Sequence, residues 1–265
     1  MRPVPRIRLD QLLVERGIAS TRAAAQAMVL AGDIEIRGLG RSLKPGNLVA
    51  ADVELRVRAR PRWASRAGEK LAAALDAFGV DPAGAVAFDA GASTGGFTDV
   101  LLERGAARVY AVDVGRGQLV DRLARDSRVV SMERTNLRTL ASLPEPVLLA
   151  TLDLSFISLR LVLPAVRRLL AADGQAIALI KPQFEAGKGS VPRGGVIRDR
   201  AIHAAVLERI GADAAVCGFG MAGLIRSPIA GGDGNVEFLA HLAAPPGMAP
   251  QALVERIRVV AAPSG

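Results

Sequence analysis

Asp89-Ala90-Gly91-Ala92-Ser93-Thr94-Gly95-Gly96-Phe97-Thr98 joins a strand-length apolar run to a helical pattern through a turn of small residues. The run before it, Ala85 to Phe88, is hydrophobic on both faces, and so are Arg108 to Val112, Val147 to Leu152 and Gln175 to Ile180. Helical periodicity occupies Glu69 to Phe78, Phe97 to Arg104 and Leu159 to Ala171 between them. Strands buried on both faces and alternating with helices predict an α/β fold with a mainly parallel, doubly wound, Rossmann-like sheet. Ligands of such sheets bind beyond the carboxyl ends of the strands, so the residues at those ends carry the function.

In the quoted turn Gly91, Gly95 and Gly96 let the backbone approach a ligand closely, with Ser93, Thr94 and Phe97 between and after them. The spacing does not satisfy the G-x-G-x-x-G pattern of dinucleotide dehydrogenases. Asp89 at its entrance would repel a pyrophosphate but suits the cationic methionine part of S-adenosylmethionine, so a methyl-donor cofactor is expected. Asp113, at the end of the next strand, is placed to accept hydrogen bonds from ribose hydroxyls. Asp89 and Gly91 are assigned to the methionine part, and Asn136 to the adenine edge.

Two further strand ends carry charge. Asp153 follows Leu148 to Leu152, and Lys181 follows Ala178 to Ile180, with Pro182 fixing the exit direction. On spacing alone, such a pair is equally well a structural ion pair. Lys70 begins the helix before the first strand, and Glu237 opens the pattern Val236 to Leu239. If that last strand runs antiparallel, all four charges meet at one mouth of the sheet.

The net charge of +8 is unevenly placed. Residues 1–66 hold 13 Lys/Arg against 6 Asp/Glu, and the remaining 199 hold 21 against 20. A basic module beside a neutral domain points to a polyanion partner, because phosphate neutralisation supplies most non-specific nucleic-acid affinity. In that module Arg8 to Gly17 and Thr21 to Ala31 read as helices, with Ser20 as N-cap and Ala24, Ala27, Met28 and Ala31 as the apolar stripe of the second. Ile34 to Arg37 and Val53 to Arg58 read as short strands. Cys217 is the single cysteine, and His203 and His241 are the only histidines. No metal site is therefore expected. No apolar leader or membrane span is recognisable either, so the expectation is a cytoplasmic, monomeric protein without a membrane partner.

Arg8-Leu9-Asp10, Leu12-Leu13, Gly17, Ser20-Thr21-Arg22, Ala25, Gly32 and Ile34 resemble the alpha-L RNA-binding motif of a small-subunit ribosomal protein, although Arg37-Gly38 replaces the usual Asn-Gly turn. Ser65-Arg66 with Lys70, the Gly91 loop, Asp153 to Leu159, Lys181 to Glu185 and Gly234-Asn235-Val236-Glu237 resemble the TlyA family. These are ribosomal RNA ribose 2′-O-methyltransferases with an FtsJ-like catalytic domain, historically labelled haemolysins. The resemblance covers essentially the whole chain. Pro61 breaks the strand pattern and the only Trp follows, so 60–66 reads as a linker with Trp63 as a packing anchor between domains or, alternatively, a base-stacking residue. The resemblance implies an RNA-binding domain at 1–59 and a class I methyltransferase domain at 67–265. It also implies a catalytic tetrad on Lys70, Asp153, Lys181 and Glu237, and cytidines of small- or large-subunit ribosomal RNA as substrate. Arg6, Arg8, Arg22, Arg41, Arg66 and Lys188 are expected on the RNA face, and Glu185 to Val196 is expected to form a lid. Thr151, Ala230 and Gly232 depart from what the family leads one to expect. A non-catalytic ribosome-assembly protein and a membrane-lytic protein are the competing readings.

Overall fold

The computed structural model describes residues 5–30, 34–36, 43–57, 62–187, 189 and 191–262. Arg41, Lys188, the Arg37-Gly38 turn, and Arg60 and Pro61 of the expected linker lie outside the described residues. The chain divides into two compact units, Met1–Pro61 and Arg62–Gly265, so the second unit takes in residues 62–66 of that linker.

The first unit runs β1 (Arg6–Arg8), α1 (Leu9–Glu15), α2 (Arg22–Leu30), β2 (Ile34–Ile36), β3 (Leu48–Ala50) and β4 (Leu55–Val57). β1 pairs antiparallel with β3, and β2 with β4. Leu9, Leu12 and Leu13 of α1 face Ala25, Val29, Ile34, Ile36 and Val49 in one small core. Gly17, at φ 67°, ends α1 in a left-handed turn. Thr21, not Ser20, caps α2: its Oγ1 accepts the Ala24 N–H at 3.1 Å. The buried stripe of α2 centres on Ala25 and Val29, with Ala24 and Met28 at its margin.

The second unit contains α3 (Ala67–Phe78), β5 (Val86–Ala90), α4 (Gly96–Glu103), β6 (Arg108–Val112), α5 (Asp121–Ala124), β7 (Val129–Met132) and β8 (Val147–Leu152). A 3₁₀ turn (Leu159–Leu161), α6 (Leu163–Leu169), β9 (Leu170–Ile180), α7 (Pro182–Glu185), α8 (Arg200–Val216), β10 (Gly220–Arg226), β11 (Phe238–Ala243) and α9 (Pro250–Ala261) follow. The strands form one sheet in the order β10-β11-β9-β8-β5-β6-β7. β11 is antiparallel to both its neighbours, β9 and β10, and the pairings among β5 to β9 are parallel. Strand order reverses at β5, which lies between β6 and β8.

Alternate residues of the central strands feed two cores. Phe88, Ala90, Ala176, Ala178 and Ile180 pack with α6, α8 and α9. Ala87, Ile177 and Leu179 pack with α3 and α4. The period of two in a strand sends successive side chains to opposite faces, and both faces are covered by helices, which is why these strands read as continuous apolar runs. The expected helix Leu159 to Ala171 is split into a 3₁₀ turn and α6, with Pro164 in the first turn of α6. β9 then takes up Leu170. The edge strands β7 and β10 are not among the strands expected from the sequence. Val130 of β7 is exposed, and β10 carries Gly220 and Gly223 with a register shift between Met221 and Gly223. Among the described residues no helix is long and apolar enough to cross a membrane, and no group of three or more His, Cys, Asp or Glu could hold a metal ion.

Trp63 belongs to the second unit's own core, and the contacts described for it lie within that unit. Its Nε1 donates to Glu103 Oε2 at 3.2 Å, and the Arg62 guanidinium lies 5.0 Å from the ring centre. The ring covers Gly68, where an added Cβ would stand 2.8 Å from Trp63 Cβ, Cδ2 and Cε3. Overpacking of this kind cannot relax without moving the indole. Gly68→Ala is therefore predicted to destabilise the second unit by about 1–3 kcal/mol, read as a lower unfolding temperature and a changed emission of the single tryptophan. An unaltered transition would show that the indole is free to yield.

Candidate active site

The turn after β5 is built on left-handed backbone. Gly91 has φ 83° and Gly95 φ 98°, and Ser93 is held at φ 47°, a region that costs a non-glycine residue about 1 kcal/mol or more. A Cβ on Gly91 would lie 2.5 Å from the Asp153 carbonyl oxygen, so the turn after β5 and the tip of β8 touch backbone to backbone. A Cβ on Gly95 would strike Leu123 and Leu119, and one on Gly96 would strike Ser65 Oγ. The turn shapes a cavity of about 170 Å³ lined by Ser65, Ala67, Gly91, Ala92, Ser93, Thr94, Gly96, Phe97 and Asp153.

On the other side of Ala92 and Ser93 lies a narrower recess, lined also by Asp113, Gly115, Gln118 and Glu133. Asp113 binds both rims: Oδ2 accepts the Ser93 N–H at 2.8 Å and Oδ1 the Gly115 N–H at 2.7 Å. Asn136 lines neither cavity. Its Oδ1 accepts the Arg138 N–H at 3.0 Å, which makes it a turn-former. Gln118 and Glu133 were not singled out in the sequence, where nothing in their spacing separates them from surface residues.

Asp89 is placed differently from its assignment to the methionine part. Its carboxylate is fully buried beneath the turn and lines neither cavity. It accepts the Thr98 N–H at 2.9 Å, Thr98 Oγ1–H at 2.7 Å and Thr151 Oγ1–H at 2.9 Å. Thr151, unusual against the family pattern, thus supplies one of the three bonds that hold this carboxylate. Burial pushes the carboxyl up to about 6, with the threonine bonds pulling the other way and the charge of Asp153 adding to the rise.

The four charged residues resolve into two ion pairs. Lys70 Nζ lies 2.5 Å from Glu237 Oε2, with both side chains at least nine-tenths buried. Lys181 Nζ lies 2.6 Å from Asp153 Oδ1 and donates to Ser155 Oγ at 3.0 Å. Because Ile180 of β9 is in register with Phe238 of antiparallel β11, Lys181 and Glu237 are the next residues at the same sheet edge. Gly231 is required beside them, since a Cβ there would meet Glu237 Oε1 at 2.6 Å. Gly232 lies in a turn closed by the Gly231 N–H on the Asn235 carbonyl oxygen, at 2.9 Å, and Ala230 directly precedes it.

The expected lid, Glu185 to Val196, is anchored near both ends. Glu185 accepts Ser158 Oγ–H at 2.6 Å and the Leu159 N–H at 2.8 Å. Asn235 accepts the Ile197 N–H and donates to the Gly195 carbonyl oxygen, both at 2.9 Å. Phe156 lies inside the motif Asp153 to Leu159, where nothing in the sequence assigns it a role. It is 90% exposed at φ 63°, its ring 4.9 Å from that of Phe184. Of the arginines expected on an RNA face, Arg8 and Arg22 both converge on the buried Asp10, whose carboxyl they hold well below its usual range. Arg6 donates to the Leu48 carbonyl oxygen at 3.3 Å, and exposed Arg66 precedes α3.

Asp89 gives the site a pH signature. The folded state holds its proton more tightly than the unfolded chain, since about 6 lies above the ordinary 3.8. Its contribution to stability is therefore fully present below the lower value and lost as the pH rises through the higher one. Asp89→Asn removes that titration. Relative to the parent, the variant is predicted to gain about 2 kcal/mol between roughly pH 4.5 and pH 7.5, measured by urea unfolding at both. A difference that does not change with pH would contradict the assignment.

A family model described as FtsJ-like methyltransferase matches residues 63–244. YqxC of Bacillus subtilis (strain 168) is 49% identical over 242 residues, covering 89% of this chain and 85% of that protein. The 16S/23S rRNA (cytidine-2′-O)-methyltransferase TlyA of Mycobacterium tuberculosis (strain CDC 1551 / Oshkosh) is 45% identical over 243 residues, 89% of this chain and 90% of that one. The solved structure of a Streptococcus thermophilus protein that carries the name hemolysin superposes with a TM-score of 0.74 at 42% identity, covering 97% of this chain and 96% of the other. With its doubly wound sheet, its glycine turn at the point of strand reversal and these relatives, the chain belongs to the FtsJ-like methyltransferase family and groups there with TlyA.

Proposed function

We propose that this protein methylates the ribose 2′-hydroxyl of cytidines in ribosomal RNA, using S-adenosylmethionine as methyl donor. The observation that carries the reading is the Lys181–Asp153 pair: Asp153 lines the cavity under the glycine turn, and Lys181 lies 2.6 Å from it. The residues fit the donor. Two recesses share the Ala92-Ser93 wall, with small side chains on one side and the Asp113 and Glu133 carboxylates on the other. Gly91, Ser93, Thr94, Gly96 and Phe97 would hold its methionine part and Asp113 its ribose. Gly95 and Asp89 act from behind, by fixing the shape of the turn. When bound, the donor supplies an electrophilic methyl group on a sulfonium, an excellent leaving group.

A ribose hydroxyl is a weak acid and needs a positioned proton acceptor. Lys181 takes that role, oriented by Asp153. Lys70 and Glu237, the more deeply buried pair, complete the wall of charge beside it. Positioning for in-line transfer contributes the larger share of the rate.

An RNA substrate is supported by the distribution of arginines. In the second unit Arg104, Arg108, Arg122 and Arg128 are paired with carboxylates. Arg66, Arg116, Arg134, Arg138, Arg160, Arg193 and Arg198 are exposed and have no acidic partner among the described residues. They follow the carboxyl ends of β6, β7, β8 and β9 or begin α3, which places them on the cofactor edge of the sheet. Phosphates attracted there would bring the ribose to Lys181. The exposed Phe156 offers a face on which a base can stack. Arg8 and Arg22, fixed by Asp10 and still half exposed, are the basis for assigning RNA binding to the first unit. Lys181→Ala is predicted to lower methyl transfer to ribosomal subunits by at least about 100-fold, while calorimetry shows unchanged S-adenosylmethionine binding. Substantial transfer by that variant would contradict the role given to Lys181.

A further inference from the structure

Lys181 has two polar partners, and only one of them, Asp153, belongs to the group of four charges. The other is Ser155, whose Oγ accepts from Lys181 Nζ at 3.0 Å. We propose that Ser155 is a positioning residue for the methyl-transfer reaction, aiming the Lys181 amine at the ribose hydroxyl; the inference rests on the role given above to Lys181.

A neutral lysine amine has two N–H bonds and one lone pair around nitrogen. Ser155 Oγ, at 3.0 Å, is the one hydrogen-bond acceptor of Lys181 Nζ among the described residues, whereas Asp153 Oδ1 at 2.6 Å is a charge contact outside hydrogen-bond geometry. The bond to Ser155 therefore fixes the rotation of the amine about Cε–Nζ and, once the lysine is neutral, the direction of its lone pair. With Asp153 alone, the amine can still turn about the Cε–Nζ bond, and the lone pair sweeps a cone. In the transfer step the ribose O–H bond breaks and its proton forms a new bond to the Nζ lone pair. The oxygen electron pair forms the O–C bond as the carbon–sulfur bond breaks, with its electrons leaving on sulfur. The resulting ammonium stays beside the Asp153 carboxylate.

Ser155 is held for this task by a staple behind it. Glu185, buried at the end of α7, accepts from Ser158 Oγ and the Leu159 N–H, at 2.6 and 2.8 Å. α7 begins at Pro182, directly after Lys181. The segment that carries Ser155 and the strand end that carries Lys181 are thus tied by one carboxylate. Phe156 packs on Phe184 alongside it.

Because Ser155 is exposed, its side chain can be changed without opening the core. The full chain is assayed as Ser155→Ala, Ser155→Thr and Lys181→Ala on ribosomal subunits, with S-adenosylmethionine affinity measured in parallel. Ser155→Ala is expected to lower kcat about tenfold. KM for the subunits and the cofactor Kd stay within about twofold of the parent. Ser155→Thr, which keeps the hydroxyl, is expected to recover most of the loss. Parent-like kcat in Ser155→Ala beside an inactive Lys181→Ala overturns the role of Ser155 alone. An equal loss in the alanine and threonine variants, or a rise in KM with kcat unchanged, also overturns it. An active Lys181→Ala overturns the reading beneath it.

Discussion

The contact between Gly91 and the Asp153 carbonyl oxygen is the constraint on which the rest of the site depends. Strand order reverses at β5, so the chains leaving β5 and β8 diverge to opposite faces of the sheet and open a crevice between them. Here the two tips also touch, because Gly91 has no side chain to hold them apart. The result is a cavity walled by a glycine turn on one side and by Asp153 on the other. The proposed donor site and the proposed proton acceptor are thereby set next to each other by backbone geometry, before any side chain is chosen. In the proposed reaction this adjacency is what turns a slow encounter into an oriented transfer.

Charge at the sheet edge is arranged to be neutral in pairs. Burying a single lysine or carboxylate is costly, whereas an ion pair with good geometry offsets much of the cost. Lys70 with Glu237 satisfies that condition through a direct hydrogen bond, whereas Lys181 meets Asp153 as a charge contact without one and is the more exposed pair of the two. Asp89 is the exception. It is buried without a cation on any of its hydrogen bonds, held by Thr98 and Thr151, and its raised pKa records that cost. Those bonds tie the start of α4 and strand β8 to the end of β5, which stiffens the turn from below.

Much of this was legible in the sequence, for physical reasons that also explain the rest. Strands covered by helices on both faces must be apolar throughout, so β5, β6, β8 and the end of β9 were visible. β7 and β10 lie at the sheet edges, where that requirement relaxes, and they were not. The charged residues at strand ends stood out against the apolar runs that precede them, although spacing alone left a structural ion pair equally open and the resemblance was needed to join the four. Asp89 was misplaced because its position in the chain was read and its parity was not. It shares the face of Ala87, which packs against α3 and α4, so its side chain turns toward Thr98 and away from the cavity. Net charge concealed the exposed arginines: the second unit is nearly neutral as a sum, yet Arg104, Arg108 and Arg128 are paired with carboxylates while the exposed arginines that follow the strand ends have no acidic partner among the described residues. Ser155 and Glu185 lay inside quoted motifs, but only three dimensions show that one binds Lys181 and the other staples the segment behind it.

The most direct measurement is to incubate purified small and large ribosomal subunits that lack the modification with the protein and S-adenosylmethionine labelled in the methyl group, and then to locate the label by nucleotide. A ribose methylated at the 2′ oxygen protects its 3′ phosphodiester from alkaline cleavage, so the chemistry is read together with the address. Label on the 2′ oxygen of cytidine in one or both ribosomal RNAs is the expected result. Label on a base, or no transfer to either subunit by a protein that binds the cofactor, would contradict the proposed function.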